Sequence, residues 1–221
     1  MAVTDPLALA ALTFLHLLVL VYWLGGDLGA FVASHLVGDA KAHPAARLAA
    51  ARVLADVDMA PRSALVLAFP TGVLLASAKG LVLAAPGVIW MVFILGLCWL
   101  GLVWALHLRH PGAASWLRRI DLAVRWVAIG LLCGLAAGLG ADWALYLRLK
   151  CLALAGAALC GLIIRAHLAP FAGAMAALAR GAPTQEDNRM IGSALNRSRR
   201  LVLVIWALIA AAALLGLWKP V

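Results

Sequence analysis

Long apolar runs alternate along this chain with short polar clusters, and the length of each run limits what it can be. Crossing the hydrocarbon core of a bilayer takes about 20 residues of α-helix. Six stretches meet or approach that length, at about 7–34, 62–79, 87–108, 123–141, 147–170 and 200–218. The second is the shortest and contains Phe69, Pro70, Thr71 and Gly72, where proline removes a backbone donor and predicts a bend. Gly130, Gly134 and Gly138 recur every four residues in the fourth, as do Ala153, Ala157 and Gly161 in the fifth. Such smooth faces let helices approach closely in lipid. The pattern predicts an all-α, polytopic membrane bundle of about six transmembrane helices, one integral domain over residues 1–221.

The connections carry patterns of their own. Residues 39–62 alternate charge with alanine and leucine, which suits a short interfacial helix better than a coil. Thr184 and Asp187 are spaced as a helix cap, and the helix they open is expected to run unbroken into the sixth span. Nothing in the chain reads as a linker, an internal repeat or a low-complexity tail. Before the first run the only charge is Asp5, without the lysine or arginine of a secretory leader, so that run is expected to remain as a helix.

Composition sharpens this picture. Of 221 residues 66% are hydrophobic and 12% charged, and the mean hydropathy of +1.04 is far above that of a water-soluble domain. The net charge of +9 sits between apolar runs rather than on a soluble basic patch, so nucleic acid is not an expected partner. It reads as topology instead. Fourteen of the 18 Lys and Arg residues fall in the first, third and fifth connections and the helix ends that flank them. Cations are retained on the cytoplasmic side, which puts both termini outside, in the inner (plasma) membrane of a bacterium. The four cysteines, Cys98, Cys133, Cys151 and Cys160, form no C-x-x-C pair and read as small buried apolar side chains.

Against this background the polar residues of the first span stand out. Trp23 follows His16 by seven residues and Asp27 follows it by eleven, which places the three within roughly 20° of one helical face. Gly25 and Gly26 beside them allow a neighbouring backbone or a flat ligand to come close. Ionisable groups in a span cost a few kcal/mol, so this face is expected to look into the bundle, toward a ligand or a proton path.

At about 1.5 Å per residue His16 lies roughly 13 Å below the outer surface, while Asp27, His107 and His167 come out nearly level close to the inner one, at about 30 Å. Arg62, Arg125 and Arg165 are expected nearby. Two imidazoles can ligate a haem iron and guanidinium groups can pair with its propionates, so His16, His107 and His167 are the candidate iron ligands. Arg148 and Lys150, entering the fifth span, place two cations where few belong, suited to an anionic ligand such as a carboxylate-bearing tetrapyrrole. His35, His43 and His110 read as surface residues.

The segments HLLVLVYWLGG, from His16, and WALYLRLKCLAL, from Trp143, resemble a superfamily of small bacterial membrane bundles. It includes HemJ-type protoporphyrinogen oxidases and CopD-type copper-resistance proteins. The resemblance covers about a quarter of the chain. It implies haem binding and activity for His16 and Lys150. This chain departs from it in having Arg148 where the HemJ-type pattern has a histidine. Its methionines, Met1, Met59, Met91, Met175 and Met190, are too scattered for a copper relay.

The function expected is a haem b-binding membrane redox protein that oxidises a hydrophobic donor, protoporphyrinogen or a quinol, with Asp27 and Lys150 as catalytic groups. His16, Trp23, His107, His167, Arg148, Arg62 and Arg125 would hold the cofactor. The alternatives are an accessory subunit of a larger membrane enzyme and a permease for a metal or small solute. The expected partners are the bilayer, a tetrapyrrole or quinone, and further copies of the chain or a larger complex.

Overall fold

A computed structural model describes residues 5–108, 115–139 and 143–219. Its helices, in chain order, are α1 (Pro6–Gly38), α2 (Pro44–Val57), α3 (Met59–Ala78), α4 (Pro86–Leu108), α5 (Ser115–Ala136), α6 (Leu145–His167), α7 (Phe171–Ala179) and α8 (Gln185–Trp218). Among the described residues there is no strand. Arg109, His110 and the last residues of the predicted fourth span, 140–141, lie outside them.

Local chemistry explains most boundaries. The Asp5 carboxylate accepts from the Leu7 amide, and Pro6 opens α1 where its missing donor costs nothing. α2 is the expected interfacial helix, and only Asp58 separates it from α3. At the head of α8, Thr184 and Asp187 each bond the other's backbone, and the helix then runs on for 34 residues, as the spacing predicted. α5 differs from expectation. It begins at Ser115 because Arg118, Arg119 and Asp121, read from sequence as loop, are helical and partly paired. It ends before Gly138, whose φ of +85° turns the chain while the Gly138 and Leu139 amides satisfy the Leu135 and Gly134 carbonyls.

Six helices form a closed ring: α1 packs on α3, α3 on α4, α4 on α5, α5 on α6, α6 on α8, and α8 returns to α1. α3 and α6 also touch across the ring. The main core cluster, with Val19, Trp23, Ala64, Ala157, Cys160, Ile205 and Ile209, lies among α1, α3, α6 and α8. A second, with Val37, Ala50, Leu178 and Ile191, gathers α2 and α7 against the end of α1 and the start of α8. There the Arg47 side chain, 1% exposed, caps the Val37 carbonyl and donates to Asn188.

Between lipid-immersed helices close contact takes over from the hydrophobic effect, and small residues make it. A Cβ on Gly26 would stand 2.6 Å from Pro61 Cδ, and one on Gly96 would stand 2.5 Å from Pro70 Cγ. The predicted glycine face of α5 is different. A Cβ on Gly130 would meet nothing within 4 Å, and Gly138 lies beyond the helix. A Cβ on Gly134 would meet only Leu139, and one on Gly138 would meet Arg148, so among the described residues the stripe does not seat a facing helix along its length.

Large apolar side chains cover the outside: Phe14, Val21 and Val32 on α1, Trp90, Ile94 and Leu95 on α4, Trp126 and Val127 on α5. Cys98 and Cys133 are on this surface too, so only Cys151 and Cys160 are buried as the sequence suggested. Lipid tolerates an outward thiol. Among the described residues five helical stretches, α1, α2 with α3, α4, α6 and α8, are long and apolar enough to cross a membrane. α5 has 22 residues and four charges in its first half. The chain is a helical membrane protein.

Candidate functional site

The first-span stripe faces inward. His16 and Trp23 line a half-open cavity of about 460 Å³ bordered mainly by α1, α3, α6 and α8, and the size falls within the range of small-molecule sites. Its walls are almost wholly apolar, with Leu20, Phe69, Val73, Leu154, Leu208 and Ile209 among them. Polar groups sit at two levels. His16 is part-way down, and Lys79, Tyr146, Lys150 and Lys219 belong to the end where α3 and α8 finish and α6 begins.

The Phe69-Pro70-Thr71-Gly72 stretch builds the seat of His16. Pro70 withholds a donor from the preceding turn, and α3 nonetheless continues through it to Ala78. The next hydroxyl, Thr71 Oγ1, donates to the Leu67 carbonyl at 2.7 Å. A hydroxyl has one proton, so Oγ1 is the acceptor in its 2.9 Å contact with His16 Nδ1. In the neutral ring Nδ1 then carries the proton and Nε2 keeps its lone pair. No described residue hydrogen-bonds Nε2. Gly72 completes the seat, since a Cβ there would stand 3.3 Å from His16 Cε1.

Asp27 lies one turn beyond Trp23 and is 7% exposed. Its Oδ2 is buried with no close hydrogen bond among the described residues, and the indoles of Trp23 and of Trp206 on α8 are the donors that face the carboxyl.

The other expected site residues lie off the cavity. His107 Nε2 is 3.4 Å from Asp56 Oδ1 and its ring stands edge-on to Trp104. His167 ends α6, with Nδ1 buried and unpartnered among the described residues. The helices carrying these two histidines, α4 and α6, both pack on α3 and α5, and only α6 also packs on α8. Arg62 pairs with Asp58. Arg148 Nε donates to the Ala136 carbonyl at 3.0 Å and so caps α5 instead of facing the cavity. Arg125 is held by Asp121. Of the expected set, the structure brings His16, Trp23 and Lys150 together.

Sequence reasoning missed the Asp121 cluster. This carboxylate, 2% exposed, accepts from Trp99 at 3.2 Å, Arg125 at 3.0 Å and Arg165 at 2.8 Å, and the Arg125 guanidinium also lies over the Trp99 ring. The i, i+4 spacing of Asp121 and Arg125 was its one sequence signal. Cys151 and Tyr146 were also missed as cavity residues. They follow from Lys150 by helical geometry, Tyr146 lying one turn before it on the same face.

Compared with family models, curated proteins and solved structures, the chain matches none of them.

Proposed function

We propose that this chain is a haem b-binding redox protein of a bacterial inner membrane, acting on a hydrophobic donor such as a porphyrinogen or a quinol. The observation that carries the reading is His16, an imidazole fixed by Thr71 with its Nε2 lone pair unengaged, on the wall of an apolar cavity inside the bundle.

The residues present fit such a group. A haem takes one or two protein ligands, and one oriented imidazole meets that need. A cage for a bare metal ion takes three or more donors, and among the described residues no three of His, Cys, Asp or Glu come together for one. This favours the haem reading over a metal permease. His16 would hold the iron, and Trp23, Phe69 and Lys150 line the same cavity and would be among the residues that hold the group.

When bound, haem iron supplies one-electron exchange. The chain's own residues do the rest. Thr71 holds the imidazole in the tautomer that leaves Nε2 basic. The aliphatic walls exclude water from the donor. Asp27, buried between the cavity and the opposite end of the bundle, would take a proton released by the oxidised donor and discharge it toward that end. The experiment is the optical spectrum of the detergent-purified protein after haem supplementation, for the parent and for His16→Ala.

A further inference from the structure

We propose that the lysine end of the cavity is a carboxylate-binding subsite, formed by Tyr146, Lys79 and Lys219 with Lys150. It would orient an amphipathic dicarboxylate with its apolar body toward His16 and Trp23. The subsite rests on the haem reading only for the identity of that body.

Tyr146 provides the first observation. It lines the cavity from the first turn of α6, is 7% exposed, and its Oη is buried with no hydrogen-bond partner among the described residues. A buried phenol normally has one. An acceptor inside the cavity would supply it.

The cations provide the second. Lys79 follows the C-terminus of α3 and Lys219 that of α8, where each also suits the helix dipole. That role requires neither of them to border a cavity, yet both line this one, and Lys150 joins them from a third helix. The ammonium of Lys150 lies against α8 at Gly216, where an added Cβ would stand 2.8 Å from Nζ. Among the described residues no Asp or Glu lines the cavity and no ion pair engages any of the three lysines. Three like charges around an apolar chamber repel one another, and a ligand with two carboxylates relieves that repulsion while accepting from Tyr146. A neutral ligand of the same shape relieves nothing.

The test is a fluorescence titration of the detergent-purified full chain at neutral pH with metal-free protoporphyrin IX and with its dimethyl ester. Without iron, axial ligation does not contribute. The free acid is expected to bind at least about tenfold more tightly than the ester, the scale of one or more charge-assisted hydrogen bonds. Tyr146→Phe, which keeps the ring and its packing, and the pair Lys79→Met with Lys219→Met, at exposed positions, should each narrow that ratio. His16→Ala should leave it unchanged. Equal binding of acid and ester, or a ratio that neither variant changes, overturns the subsite and leaves the haem reading standing. If neither porphyrin binds, the same comparison is made with a long-chain dicarboxylic acid and its diester. An acid preference there supports the subsite and removes the tetrapyrrole, and no preference overturns the subsite.

Discussion

His16 Nδ1 and Thr71 Oγ1 stand 2.9 Å apart, and the hydroxyl proton is committed to the Leu67 carbonyl at 2.7 Å, so the imidazole must be the donor. Two spans are thereby joined by a bond that also fixes which ring nitrogen is basic. Thr71→Val removes the acceptor at nearly constant shape and frees the ring to turn or change tautomer. Outer partners of ligating histidines contribute about 10–100-fold in affinity, so haem retention should fall on that scale and recover in Thr71→Ser. Haem titration of the three proteins measures it.

The α1–α3 and α3–α4 contacts depend on two absent side chains. Gly26→Ala would drive a methyl to 2.6 Å from Pro61 Cδ, and Gly96→Ala would do the same to Pro70 at 2.5 Å. Each should lower stability by about 1–3 kcal/mol, the usual cost of overpacking. Gly130→Ala, with nothing within 4 Å, should be neutral or slightly stabilising. Denaturation in detergent micelles, followed by circular dichroism, orders the three.

The Asp121 cluster is structural. Removing its charge in Asp121→Asn leaves Arg125, whose side chain is 12% exposed, without a counter-charge. The loss should be about 3 kcal/mol, at the low end for breaking a buried pair because Arg165 is half exposed and can rehydrate. Arg165→Gln, for the same reason, should cost under about 1 kcal/mol. A melting series on these variants checks the order.

Asp27→Asn should separate stability from activity. Asparagine keeps the size of the side chain and a carbonyl oxygen for the Trp23 and Trp206 indoles, so folding and haem binding are expected to stay near parental levels. Donor oxidation should fall by about 100-fold or more, the range for removing a positioned proton carrier. Unchanged turnover would take Asp27 out of the mechanism.

The bundle was legible in the sequence because lipid demands long apolar helices, and run length reveals them directly. The inward stripe of α1 was legible for a related reason: His16, Trp23 and Asp27 share a face, and an ionisable face avoids lipid. α5 was misjudged because its first turns are charged, and the Asp121 partners that make those charges acceptable come partly from α4 and α6, distant in sequence. Depth alone also grouped His107 and His167, since counting turns gives height in the membrane but no direction around each helix axis. In the structure His107 stands beside Asp56 and Trp104, while His167 closes α6 off the cavity. Arg148 was misread for want of one fact, that α5 ends beside it with an open carbonyl at Ala136. Lys79 and Lys219 carried only a topological signal until the fold placed them on the same cavity as Lys150.

The most direct measurement is the visible absorption spectrum of the parent and His16→Ala proteins, purified in mild detergent and supplemented with haem. The parent is expected to hold haem with a distinct Soret band that shifts on reduction, and His16→Ala to lose that band or bind at least about tenfold more weakly. A parent without a Soret band, or a variant whose spectrum and affinity match the parent's, would contradict the assignment of His16 as the ligand in this cavity.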